Sequence, residues 1–322
     1  MGAALVENTV TSSGVRGSDF AIPEAEMEAL LARNARQVFT SLSDPAWLKA
    51  ADAGISKRKL GLRTWLRRLL SSGRNARKQG EVRGNYEYFW QNAQTQNHVE
   101  RQDDRNVAVQ WGSRGALVSP QLLRQVHLAY FMRAIDKLRP QRVLEVGCGN
   151  GNVLLTLAAR FPDVSFAGVE LTEAGVAAAK ALQTEATLPE SIAKASPSPL
   201  LDLTAHVRVD VRAGDARKLP FPDRSFDLVY TRLALEQMEA IRDEAMREVT
   251  RVARTAVVLL EPWRDFNRSG LGRDYIRRQG YFAGRVRDLE SYGFDVVYAT
   301  EDLPQKVQFS SGPAVAIRKT RG

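Results

Sequence analysis

A mixed α/β fold on a mostly parallel sheet is predicted here by three observations. The first is the run Val143-Leu144-Glu145-Val146-Gly147-Cys148-Gly149-Asn150-Gly151-Asn152, followed by helix-forming apolar residues to 159. An apolar run, glycines at alternate positions and then helix formers read as a buried strand, a sharp turn and a helix start. The second is the recurrence of strand-like stretches, apolar at 166–170, 226–230 and 256–262 and alternating at 207–213, with a helix over 173–184 after the first of them. Strands interleaved with helices are what a parallel sheet with crossover connections needs. The third is size: 322 residues, 44% of them apolar, fill one large core with an extension more readily than two full domains.

The turn narrows the choice of ligand. A dinucleotide fingerprint starting at Gly147 needs glycine at 152, where Asn152 stands, and no Gly-Lys-Ser/Thr ending marks a nucleoside-triphosphate loop. Glu145-x-Gly147-x-Gly149-x-Gly151 instead resembles the first motif of the class I S-adenosylmethionine-dependent methyltransferases, and the resemblance spans residues 116–322. It implies a Rossmann-like seven-stranded, mostly parallel sheet flanked by helices, with 294–299 and 314–318 as the last two strands, and S-adenosyl-L-methionine as cofactor. It also implies a binding set: Glu145, Gly147, Cys148, Gly149, Asn150 and Gly151 in the loop, Glu170 with Leu171 at the ribose, Asp215 with Ala216 at the adenine, and Arg232 beyond them. A carboxylate suits the ribose position because it can accept from two hydroxyls at once.

In chain order, residues 1–20 read as a disordered tail, 21–115 as a helical, basic extension and lid, and 116–322 as the methyltransferase domain. Residues 1–17 lack the basic start and apolar block of a secretory signal, Val6 breaks a myristoylation motif, and no run is long enough to span a bilayer. Pro23 with Glu24 and Glu26 opens a helix. Between 52 and 80, nine basic residues stand against Asp52 alone, and Leu62, Trp65, Leu66, Leu69 and Leu70 make one apolar stripe at helical spacing. Residues 56–72 therefore read as an amphipathic basic helix for an anionic membrane, for nucleic acid, or for packing on the protein's own core. Tyr86, Tyr88, Phe89 and Trp90 precede the domain where the family often carries a lid. Residues 121–138 read as a helix stopped by Pro140, and 189–203, with its prolines and serines, as a mobile surface excursion. Seven arginines between 264 and 287 face only Asp265 and Asp274, which suggests a phosphate- or carboxylate-bearing acceptor. Cys148 is the only cysteine, so there is neither a disulfide framework nor a metal cluster to propose, and a reducing cytoplasm fits. A small residue filling a tight turn is the better reading of it than a reactive thiol.

The chemistry requires alignment of nucleophile, methyl carbon and sulfur, and a base only when the nucleophile must lose a proton. After the fourth strand the family often carries Leu-Glu-His; here the residues are Leu235-Glu236-Gln237. Gln237 cannot take a proton, which leaves Glu236 as candidate base with Gln237 orienting it, and His98 in the lid as the other candidate. His127 and His206 read as structural, satisfied histidines. The favoured function is methyl transfer to an anionic small molecule or a lipid-linked glycan at the inner face of a membrane. RNA is the competing acceptor, and a cofactor-binding scaffold without turnover the competing class. Oligomeric state stays open.

Overall fold

The computed structural model describes residues 14–56, 79–94 and 106–319. The tail to residue 13, the basic stretch 57–78 and His98 lie outside the described residues. The described chain opens with a short 3₁₀ helix (Gly17–Phe20) whose Phe20 is buried in the main core, so residues 17–20 are not part of the disordered tail expected over 1–20. It continues with α1 (Glu24–Asn34), β1 (Ala35–Phe39), α2 (Pro45–Ser56) and α3 (Gln79–Gln94), then a hairpin of β2 (Val107–Trp111) and β3 (Arg114–Val118). Next comes α4 (Gln121–Leu138), which ends on Arg139 in a left-handed conformation (φ 47°), directly before Pro140. The repeating unit follows: β4 (Arg142–Val146), α5 (Asn152–Arg160), β5 (Ser165–Glu170), α6 (Glu173–Gln183), α7 (Glu190–Ala193), β6 (Asp210–Ala213), β7 (Phe226–Arg232), α8 (Arg242–Val252) and β8 (Ala253–Glu261). The chain closes with α9 (Gly270–Gln279), β9 (Phe294–Ala299), β10 (Gln305–Lys306) and β11 (Gly312–Arg318).

Seven strands form the main sheet in the order β6-β5-β4-β7-β8-β11-β9; β6, β5, β4, β7 and β8 run parallel, and β11 is antiparallel to both its neighbours. Its strands are apolar on both faces because both are covered. Along β8, Ala256, Val258 and Leu260 enter the core that holds α4 and α5, while Val257 and Leu259 enter the core that holds α8. The same period of two puts Leu144 and Val146 on one face and Val143 on the other.

Three expectations about these elements need correction. The extension is not helical throughout: β1, β2 and β3, with β10, form a second, four-stranded sheet in the order β1-β3-β2-β10. Gly115 in β3 leaves the gap that the Trp47 ring fills, and Trp47 in turn packs on Phe39 with ring centroids 5.7 Å apart. These strands escape a pattern search because three are five residues long and β10 only two, and β1 has exposed Arg36 and Gln37 in place of a clean alternation. The second correction is the segment 189–203, read as a mobile excursion. Leu188, Ile192 and Ala195 are buried, Leu188 N–H donates to Leu203 O (2.8 Å), and Leu201 N–H donates to Ala159 O at the end of α5 (2.9 Å). Its apolar residues sit at intervals that only the docked α7 brings to one side. His206 is buried and structural, but neither ring nitrogen has a hydrogen-bond partner among the described residues, so it is not the satisfied histidine the sequence suggests.

Candidate active site

The strand order reverses at β4: its crossover helix leads outward to β5, whereas β7 returns on its other side. In open α/β sheets the crevice beyond the carboxyl ends of the strands at such a point is where ligands bind. A cavity of about 400 Å³ lies there. Its floor is the loop after β4, its far wall the ends of β5 and β6, its near wall the turn after β7, and its roof α3.

The floor is shaped by close approach. Gly147 (φ 81°) and Gly149 (φ 56°) take left-handed conformations, and a Cβ on Gly147 would stand 2.6 Å from Ala234 Cβ, one on Gly149 2.6 Å from the Trp90 ring. Gly147 and Cys148 N–H both donate to Val169 O (2.8 and 3.1 Å), and Gly149 N–H donates to Glu170 Oε2 (2.9 Å). Cys148 Sγ fills the space above Gly168, and burial pushes its thiol well up, which favours the neutral thiol packed in the turn. Glu145 is buried and accepts from Tyr230 Oη (2.8 Å); burial pushes its carboxyl up to about 7 against the pull of Tyr230 and Arg232.

Of the residues singled out from the sequence, Glu145, Gly147, Cys148, Gly149, Asn150, Glu170, Leu171, Asp215, Ala216, Arg232 and Glu236 all line this cavity; Gly151 stands one step back, its carbonyl accepting from Leu155 in α5. Glu170 has a second duty. Its Oε1 accepts from Thr172 N–H (3.0 Å) and Oγ1 (2.7 Å), so three of its roughly four acceptor positions hold protein. Asp215 takes Arg217 in two-pronged fashion (Nε to Oδ1 3.1 Å, Nη2 to Oδ2 2.7 Å), and that hydrogen bonding holds its carboxyl below the usual range. Arg232 donates from Nε to His127 Nδ1 (3.0 Å). Burial, then the Arg232 charge, lowers His127 well below its ordinary value, which keeps it a neutral acceptor. Glu236 Oε1 accepts from Gln237 Nε2 (2.8 Å), and both side chains are buried at the cavity edge.

On the roof, Val82, Tyr86, Phe89 and Trp90 of α3 face the cavity, and Glu87 Oε1 accepts from Ala174 N–H at the start of α6 (3.1 Å), fixing the helix over the site. Arg124 of α4 joins the wall. By contrast Arg264, Arg268, Arg273, Arg277, Arg285 and Arg287 lie off it, so that segment does not shape this cavity. Sequence reasoning missed Tyr230, His127 as the partner of Arg232, Arg124, and above all Glu261. Fully buried at the end of β8, Glu261 accepts from Thr231 Oγ1 and from the amides of Ala234, Leu235 and Glu236. A glutamate closing an apolar strand was the one signal available.

A protein-family model described as a methyltransferase domain matches residues 144–260. Over that stretch the chain is similar to a methyltransferase domain. The domain is 28% identical over 158 residues to ajmaline N-methyltransferase of Rauvolfia serpentina, covering 44% of this chain and 48% of that protein. It is 33% identical over 118 residues to demethylmenaquinone methyltransferase of Roseiflexus sp. (strain RS-1), covering 37% and 40%. The chain thus spans about half or less of the length of these curated relatives. Among solved structures, magnesium protoporphyrin IX methyltransferase from Synechocystis PCC 6803 superposes with a TM-score of 0.44 at 16% identity, covering 62% of this chain and 83% of that one.

The cofactor that the resemblance implies is S-adenosylmethionine, and the residues present fit it. Gly147 and Gly149 let Ala234 and Trp90 close on the floor, and two polar atoms buried in the wall, Asn152 Oδ1 and Trp90 Nε1, have no protein partner among the described residues. One acceptor and one donor, with carboxylates at the ends of β5 and β6, suit a nucleoside with an amino-acid tail. Glu170→Ala is expected to weaken S-adenosylhomocysteine binding by roughly 1–3 kcal/mol, the cost of charged hydrogen bonds left unmade. Calorimetry giving wild-type affinity in that variant removes Glu170 from the site.

The buried carboxyls also set a pH dependence. Burial and the neighbouring Glu236 charge push Glu261 up to about 8, and Glu145 stands at about 7, both above the ordinary 4.5. A carboxyl raised on folding favours the protonated fold, so its contribution is full below the ordinary value and is lost as pH rises through the raised one. Thermal stability is expected to fall between about pH 5 and about pH 9, with a shallower slope in Glu261→Gln. A melting temperature that rises across that window contradicts the assignment.

Proposed function

We propose that this protein transfers the methyl group of S-adenosylmethionine to an anionic small molecule or lipid-linked glycan, working at the inner face of a membrane. The reading is carried by one observation: the cavity that has the glycine loop as its floor is lined as well by Arg124, Arg232, Glu236 and Gln237 and by the apolar side chains of Val82, Phe89, Leu233 and Met238. The cofactor brings a methyl already activated on a sulfonium. The protein's part is therefore to align, to exclude water and to move at most one proton. The α3 roof excludes water, the two guanidiniums hold an anionic group, and Glu236, steadied by Gln237, takes a proton from the nucleophile. Anion recognition thus rests on Arg124 and Arg232 rather than on the arginines of 264–287.

Acceptor class is tested by incubating the protein with methyl-labelled cofactor and a cell extract fractionated into lipids, RNA and small polar molecules. Label in the lipid or small-polar fraction supports the proposal; label in RNA promotes the RNA reading; no label anywhere with intact cofactor binding favours a scaffold. Among the described residues no helix is long and apolar enough to cross a membrane. Membrane contact is assigned to the basic stretch 56–72, most of which lies outside the described residues. Each basic residue near an anionic surface contributes about 1 kcal/mol, so binding should be reversible and salt-sensitive. Wild type is expected to sediment with anionic but not neutral liposomes at low salt, and Trp65→Glu/Leu69→Glu to remain folded in solution. A wild type that never sediments, with an aggregating variant, returns the stripe to the core.

A further inference from the structure

The turn after β7 is where the candidate base and the cofactor floor meet, and its backbone is in an unfavourable state. Leu233 is left-handed (φ 53°), a conformation that costs a side-chain-bearing residue energy, and the single turn of 3₁₀ helix at Leu235–Gln237 follows at once. Something must hold it. Leu233 N–H donates to Leu260 O (2.9 Å), and the next three amides all go to one group at the end of β8. Glu261 Oε1 accepts from Thr231 Oγ1 (2.8 Å), Ala234 N–H (3.1 Å) and Leu235 N–H (3.0 Å), and Oε2 accepts from Glu236 N–H (3.1 Å). None of Glu261 is exposed, and it does not line the cavity, so it touches no ligand.

We propose that Glu261 is the positioning residue of this site: one oxygen seats Ala234 against the Gly147 floor, and the other aims Glu236 into the cavity. The division follows from what each amide carries. Ala234 Cβ lies where a Cβ on Gly147 would collide with it, so the oxygen holding Ala234 and Leu235 sets the fit of the turn on the cofactor loop. Glu236 is the residue whose carboxyl reaches the cavity edge, and Oε2 fixes its backbone. The groups facing Glu261 are Thr231, Glu236 and the more distant Arg232 charge. Oε2 accepts from the Glu236 amide whether or not the carboxyl carries a proton, so the arrangement does not depend on its charge state. The proposal rests on Glu236 as the acid–base group of the proposed function.

Glutamine separates the two oxygens. In Glu261→Gln the amide oxygen keeps Thr231, Ala234 and Leu235, whereas the NH₂ group meets the Glu236 N–H donor to donor. Residue-resolved amide hydrogen exchange is therefore expected to accelerate about tenfold or more at Glu236, with Ala234 and Leu235 little changed. S-adenosylhomocysteine is the probe for the second readout: its affinity stays within about twofold of wild type, while the shift it induces in the ¹³C carboxyl resonance of Glu236 falls to about half or less. A merely structural role predicts acceleration of all three amides together and an unchanged carboxyl response. Glu261→Asp is the second variant; it withdraws both oxygens by one methylene, so all three amides should speed up and affinity should drop about tenfold. Wild-type exchange at Glu236 in the glutamine variant, equal acceleration at Ala234 and Leu235, or wild-type behaviour of the aspartate variant overturns the proposal. If wild type itself does not bind S-adenosylhomocysteine, the proposed function fails, whereas the exchange pattern still decides the role of Glu261 in holding the turn.

Discussion

Gly147→Val is expected to lower S-adenosylhomocysteine affinity by about a hundredfold or more and to destabilise the fold. The effect has two sources. At φ 81° a β-branched residue is held in a left-handed conformation, which costs about 1–2 kcal/mol, and its Cβ would stand 2.6 Å from Ala234 Cβ. Ala234 cannot withdraw, since its amide is held by Glu261 and its turn lies against β8, so overpacking adds about 1–3 kcal/mol. With about 1.4 kcal/mol per tenfold change, the upper part of that sum removes measurable binding. Gly293→Ala is the control: φ is 84° there too, but nothing stands within 4 Å and the site is remote from the cavity. It should lose some melting temperature and no affinity. Equal affinity in Gly147→Val and wild type would mean that the floor of the cavity is not where the cofactor lies.

The second large effect is on turnover. Glu236→Gln keeps the size of the side chain and its place at the cavity edge but removes proton affinity, so single-turnover methyl transfer to the acceptor fraction should slow about a hundredfold with cofactor affinity unchanged. Glu236 is only 8% exposed and its Oε1 accepts from Gln237, which keeps it oriented when the site is closed by α3. An unchanged rate shows that alignment alone suffices or that His98 serves instead, and His98→Ala is then the variant that separates the two. Gln237→Ala should give a smaller loss, since it frees the orientation of Glu236 and not its proton.

The main sheet and the loops that line one side of the cavity were legible in the sequence because they are local. A strand, a turn and a helix lie within residues 142–160, Glu170 closes β5, and Asp215 comes two residues after β6. What stayed hidden is long-range. Glu261 reaches amides 25 to 27 residues earlier in the chain, and Arg232 meets His127 across 105 residues. No spacing rule announces such pairs. The arginines of 264–287 misled for the opposite reason: charge density is visible in a sequence, but the direction it faces is set by α9 and the loops around it. The small second sheet was missed because its strands are short and one of its members, β10, comes from near the other end of the chain.

The most direct test of the account is isothermal calorimetry of S-adenosylmethionine and S-adenosylhomocysteine on the full chain, beside Gly147→Val. The account predicts saturable binding of both compounds by wild type, one molecule per chain, and none measurable in the variant. A folded wild-type protein that binds neither compound contradicts it.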